Sequence, residues 1–199
     1  MARSRSFWDL LRLGGVLAAL LGLQACGTVH NTVRDGEEGR VILRGNDAVA
    51  YFKEGKPVRG DPRIRSVHEG DVYRFASVDN KRAFDANPKR YAPAYAGFCA
   101  SGAPYALKAN IHASVFTVYR DRLYLFGSER VKAHWLMDAE DNVRLGDRYW
   151  EEETKDVPHR LQNWKRYLFK VPHYRKDAEL DAEHLKRFGR LPPGAPGGK

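Results

Sequence analysis

Leu13 to Ala25 is a run of thirteen residues without a charged side chain, and what that run can be bounds everything after it. It is too short to cross a bilayer as a helix, which takes about 20 apolar residues. Behind the basic head of Arg3, Arg5 and Arg12 it fits the apolar core of a secretory signal peptide, residues 1–25 being the part removed. What remains, residues 26–199, is enough for one domain with a real core and little more. Its two cysteines are Cys26, at the new N-terminus, and Cys99. If Cys26 is modified, no disulfide can form, and the fold must rest on its hydrophobic core.

The stretch Leu23-Gln24-Ala25-Cys26 resembles the bacterial lipobox, in which the cysteine after a small residue is lipid-modified. The resemblance makes Cys26 the lipidation site and the membrane a partner through that lipid. An ordinary cleaved signal, or an uncleaved anchor that happens to contain a cysteine, is the alternative. Ser4 separates Arg3 from Arg5, so there is no twin-arginine pair and general export is expected. Gly27 stands where an aspartate would favour inner-membrane retention, which points to the periplasmic side of the outer membrane. Of the 34 basic and 25 acidic residues, the leader removes Arg3, Arg5, Arg12 and Asp9, leaving 31 and 24, a net +7. Export argues against nucleic acid as the partner of this charge. The basic and acidic residues are also interspersed, as on a solvated surface with mild affinity for an anionic envelope.

Along the chain, residues 26–39, polar from His30 to Gly39, read as a tether. The Pro/Gly-rich residues 191–199 read as a disordered tail. Between them the pattern is α+β, a small domain of short antiparallel strands and hairpins with packed helices. Arg40 to Arg44 is a short strand, and Asp47 to Phe52 runs into a turn at Gly55 to Pro57. Ile64 to His68 and Asp71 to Ala76 pair across Glu69-Gly70, with Val72, Arg74 and Ala76 alternating against Tyr73 and Phe75. Ser77 caps a helix that Pro88 ends. Phe116 to Tyr119 and Leu123 to Phe126 form a second hairpin, after which Ser128 opens a helix holding Val131 and Trp135. Residues 139–190 read as a helical extension. From Val157 to Arg190 it packs back on the domain through Trp164, Tyr167, Leu168 and Phe169, with Lys165, Arg166, Lys170 and Arg175 in water.

No glycine-rich phosphate loop, HExxH or CxxC is present, and no two of the seven histidines lie three or four residues apart. One region resembles a known family. Asp47-Ala-Val-Ala-Tyr-Phe52, Tyr73 to Ser77, Asn80, Phe84, Asn87-Pro88, Tyr91, Pro93, Tyr95 and Gly97-Phe-Cys-Ala100 are similar to the exported branch of the YHS domain family. Leu123 to Leu125 and Trp135 extend the match, which bounds a domain at residues 40–138. The resemblance implies a small α+β fold. Other branches of that family carry cysteines and are associated with heavy metals. Their cysteine positions fall here on Ala50, Ala76 and Asn80, which removes the soft ligands that select copper(I) or zinc.

A transition-metal cofactor would then fall to Cys99 with His68, His112 and Asp47 as candidate ligands. Cys99 has two other readings, an inert core residue and a reactive thiol. Asp47 has a plainer one, a turn held by backbone hydrogen bonds. The aromatic series Tyr73, Phe75, Phe84, Tyr91, Tyr95 and Phe98 is expected to be core before pocket. The reading that needs no special residue is a non-catalytic envelope module that binds another protein or a small ligand. Copper-type metal handling comes second and a thiol-dependent enzyme third.

Overall fold

The computed structural model describes residues 28–35 and 39–197. The leader and Cys26 lie outside them. Among the described residues, two small sheets and seven helices make an α+β domain. The first sheet holds β1 (Thr32–Arg34), β2 (Arg40–Ile42), β3 (Asp61–His68) and β4 (Asp71–Phe75) in the order β1-β2-β4-β3. β2 runs parallel to β4, and the other two pairings are antiparallel. The second is the hairpin of β5 (His112–Tyr119) and β6 (Arg122–Phe126). Both hairpins turn through consecutive positive φ angles, 51° and 80° at Glu69-Gly70 and 48° and 60° at Arg120-Asp121. That hand of turn matches the twist of the paired strands.

Helix α1 (Ala50–Lys53) follows β2, and α2 (Val78–Ala86) and α3 (Pro88–Tyr91) follow β4. Helices α4 (Glu129–Met137) and α5 (Ala139–Tyr149) follow the second hairpin, and a wider helical turn spans Trp150–Thr154. The C-terminal part holds α6 (His159–Leu168) and α7 (Asp177–Phe188). Ser77 and Ser128 cap α2 and α4, each accepting a hydrogen bond from the amide three residues on, at 3.1 and 3.4 Å. The core is aromatic: Tyr51, Phe75, Phe84, Tyr124, Phe126 and Trp135 are at most 2% exposed. Trp135 lies edge-on to Tyr119 and Phe126 and tilts over Tyr124 at 4.9 Å. Gly146 lets α5 sit this close. A Cβ there would stand 2.6 Å from the Tyr95 hydroxyl.

Several expectations are corrected. The strand from Arg40 stops at Ile42, because Leu43 and Arg44 turn the chain with φ of 54° and 52°. Alternation fails in β4, whose five residues are all buried. The strand is paired on both edges, and Arg74 is sealed in by an ion pair to Asp35 at 2.6 Å. Residues 28–35 are not a tether. The Val29 amide donates to the Lys155 carbonyl at 2.8 Å, and Asn31 bonds to Ala96 and Gly97. Thr32–Arg34 extends the sheet, and His30 packs against the buried Asp71 carboxylate. At the other end Pro192 and Ala195 are buried, and a backbone hydrogen bond joins them.

Apart from the buried Val171, the C-terminal part rests on the domain through residues other than the apolar ones expected. Gln162 donates to the Ala106 carbonyl at 2.9 Å, His173 to that of Pro104 at 2.7 Å, and Arg130 clasps Asp181. Trp164, Tyr167, Leu168 and Phe169 face water instead.

Asp47 joins the elements of the first half. One carboxylate oxygen accepts from the Val49 and Ala50 amides at 2.8 and 3.3 Å, which starts α1. The other accepts from the Ala76 amide and the Asn80 side chain, both at 2.8 Å, which fixes the end of β4 against α2. Removing a fully buried acceptor strands these donors, each worth about 1–3 kcal/mol when left unmade. Asp47→Ala is therefore expected to destabilise the domain by about 3 kcal/mol or more in equilibrium urea unfolding, and Asp47→Asn by less. A loss below about 1 kcal/mol in the alanine variant, the range of a surface change, would contradict this role.

Candidate functional site

The four candidate metal ligands are engaged separately. Asp47 is consumed by the hydrogen bonds just described. Cys99 is 3% exposed, its amide donates to Ala109 at 3.0 Å, and it bridges to Leu125 beside the second hairpin. Its sulfur accepts from the Gly127 amide at 3.3 Å and shares a hydrogen bond with the Ser101 hydroxyl at 3.1 Å. His68 sits edge-on to Tyr73 and Phe84 with Glu69 3.7 Å away, and His112 meets Ser114 at 3.2 Å. These four make no hydrogen bond or ion pair with one another. Among the described residues, no group of three His, Cys, Asp or Glu side chains is arranged to hold a metal ion.

A different place collects the chemistry. Between the loop after Cys99, helices α4 and α5, and the segment from His173 to Leu180 lies an open cavity of about 360 Å³. Its walls are aromatic and polar together, with Tyr105, His134, Trp135, His173, Tyr174 and Arg175 among them. His134 is buried, and its Nε2 lies 2.8 Å from Asp181. An ionised carboxylate only accepts, so the imidazole proton sits on that nitrogen. The same carboxylate receives Arg130 at 3.1 and 2.6 Å. The Arg130 guanidinium, more than burial opposes it and with His134 adding, holds the Asp181 carboxyl below its ordinary value. His173 is stacked between Tyr105 and Tyr149, with both ring centroids 5.8 Å away. Trp135, 2% exposed, has an indole N–H with no hydrogen-bond partner. The cavity thus places an oriented histidine and several polar side chains beside aromatic ones.

Lys108 holds the outer wall in place. It lies between Leu107 and Ala109, which line the cavity, and its side chain is buried pointing away from them. Its ammonium donates to the carbonyls of Lys155 and Val157 at 3.0 and 2.8 Å. The rings of Phe98 and Trp150 flank it, each centroid 5.1 Å from Nζ. Asn163 of α6 bonds both the amide and the carbonyl of Lys108, at 2.9 and 2.7 Å.

None of Lys108, His134, His173 or Asp181 was legible as a site residue. His134 and Asp181 lie 47 positions apart in the chain, and no local pattern links them. The chain matches no family model, no curated protein and no solved structure.

Burial pushes the Lys108 ammonium down from its ordinary 10.5 to about 8, while the charge of Asp156 pulls it back up. Between those values the unfolded chain holds more protons than the folded one, so stability contributed through Lys108 rises with pH across that window. A neutral amine still has two N–H groups, enough for both carbonyls. The wild-type urea midpoint is therefore expected to gain on that of Lys108→Met as pH climbs from about 8 towards 10.5. A difference between the two that shrinks over this range would contradict the buried lysine.

Proposed function

We propose that the protein is a lipid-anchored module of the bacterial cell envelope, of the exported YHS type, that binds a small molecule in the cavity between its core and its C-terminal part. Anchoring rests on the Leu23 to Cys26 motif, and the family reading on the residues between Asp47 and Trp135. The observation that carries the binding reading is the 360 Å³ cavity lined by aromatic and polar side chains together. Its size lies within the range of small-ligand sites, which pair apolar faces with a few placed polar groups. A small molecule with an apolar body and a few polar groups matches that lining. Binding without chemistry suits the rest. The Cys99 thiol is buried, and the Ser101 hydroxyl is spent on it.

Leu145 lines the cavity from α5, so Leu145→Trp fills it. Native mass spectrometry of protein extracted gently from envelopes is expected to show a bound small molecule on the wild type and none on this variant. If the wild type carries nothing, envelope extracts are expected to raise its melting temperature and leave the variant's unchanged. Equal behaviour of the two proteins in both measurements would overturn the reading.

A further inference from the structure

Helix α6 is turned inside out relative to an ordinary surface helix. Gln162 and Asn163 face the domain and spend their amides on Ala106 and Lys108. On the opposite side Leu161, Trp164 and Leu168 recur at helical spacing and are 57, 62 and 50% exposed. Tyr167 and Phe169, at 79 and 68%, widen the patch. Five of the eleven large apolar side chains exposed among the described residues fall within these nine positions. Packing against the domain does not need them. An apolar cluster of this kind marks a surface that meets something.

Two observations say what it meets. The first is where the chain enters. The Val29 amide is fixed to the Lys155 carbonyl, the same oxygen that receives Lys108, and α6 begins four residues after Lys155. Cys26 is three residues before Val29, a reach of at most about 10 Å for an extended chain. A lipid on Cys26 therefore holds the bilayer surface within that distance of Val29, with no tether to let the domain swing away. The second is charge. Of the seven Lys and Arg from Lys155 to Lys176, Lys155, Lys165, Arg166 and Arg175 pair with Glu151, Glu153 and Glu183, and Arg160, Lys170 and Lys176 remain to meet an anionic surface. A helix with Trp, Leu and Phe on one side and basic residues around it suits the interface of an anionic bilayer.

We infer that the Leu161, Trp164 and Leu168 face of α6 lies in the surface of the membrane to which Cys26 is anchored, as a second contact beside the lipid. This rests on the proposed lipidation of Cys26. Dual contact fixes the orientation of the domain, since a single point of attachment leaves it free to rotate about that point. With α6 against the bilayer, the His173 to Leu180 wall of the cavity follows directly in the chain and is held near the membrane surface.

The test uses the processed full-length protein reconstituted into vesicles of phosphatidylethanolamine and phosphatidylglycerol with brominated acyl chains, which quench tryptophan on contact. Fatty-acid content is measured on the same preparation. Tryptophan emission is expected to be strongly quenched relative to unbrominated vesicles, and Trp164→Phe is expected to abolish that quenching, leaving Trp135 and Trp150 unaffected. Replacing Leu161, Trp164 and Leu168 together by Glu is expected to leave the protein co-floating through its lipid, but unquenched. Acylated, co-floating wild type without quenching would overturn the inference while sparing the anchor. Protein without fatty acid would overturn the anchor and the inference together. A wild-type dimer in detergent that Trp164→Glu converts to monomer would overturn it in favour of a second copy of the chain.

Discussion

One buried ammonium group connects the parts of this molecule that its sequence separates. Lys108 stands on the loop that walls the cavity and reaches the carbonyls of Lys155 and Val157, between the rings of Phe98 and Trp150. Taking an ammonium out of water is costly unless acceptors and polarisable faces replace the solvent. Here two carbonyls and two ring faces do so. The Lys155 carbonyl also receives the Val29 amide, so the N-terminal segment and the loop before β5 meet at one oxygen. Asn163 then closes on the Lys108 backbone and sets α6 beside it.

The same arrangement explains why the C-terminal part is docked through polar groups. Gln162, Asn163, His173 and Asp181 each meet a group of the core that would otherwise lose its partner on burial. Polar docking releases the apolar residues of α6 for the outer face. It also leaves open space where the docked segment spans the loop after Cys99 and the ends of α4 and α5, and that space is the cavity. Cavity and exposed helix face are thus two consequences of one docking mode.

The parts legible in the sequence are those written in neighbouring residues. Glu69-Gly70 and Arg120 to Arg122 announced their hairpins, and Ser77 and Ser128 their helices, because turns and caps are decided within four residues. The Asp47 turn was open to the same reading, although its second oxygen, bound to Ala76 and Asn80, was not. What failed were inferences from polarity alone. His30 to Gly39 looks like a tether, yet Asn31 and Val29 find backbone partners and Thr32–Arg34 joins a sheet edge. Trp164 and Leu168 look like packing residues, and the amides of Gln162 and Asn163 took that part. The cavity gathers residues from three stretches, around Tyr105, His134 and His173, that no spacing rule connects. Cys99, conspicuous as the lone cysteine among the described residues, is held by Gly127 and Ser101.

The claim that Lys108 clamps the start of the C-terminal part, and through the shared Lys155 carbonyl the N-terminal segment, is tested most directly by hydrogen exchange. Backbone exchange of wild type and Lys108→Met would be compared peptide by peptide under conditions where both are folded. Residues 29–34 and 155–168 are expected to exchange faster together in the variant, while the β5–β6 hairpin and the β3–β4 hairpin keep their protection. Unchanged exchange in both segments, or a uniform rise along the whole chain, would contradict the clamp.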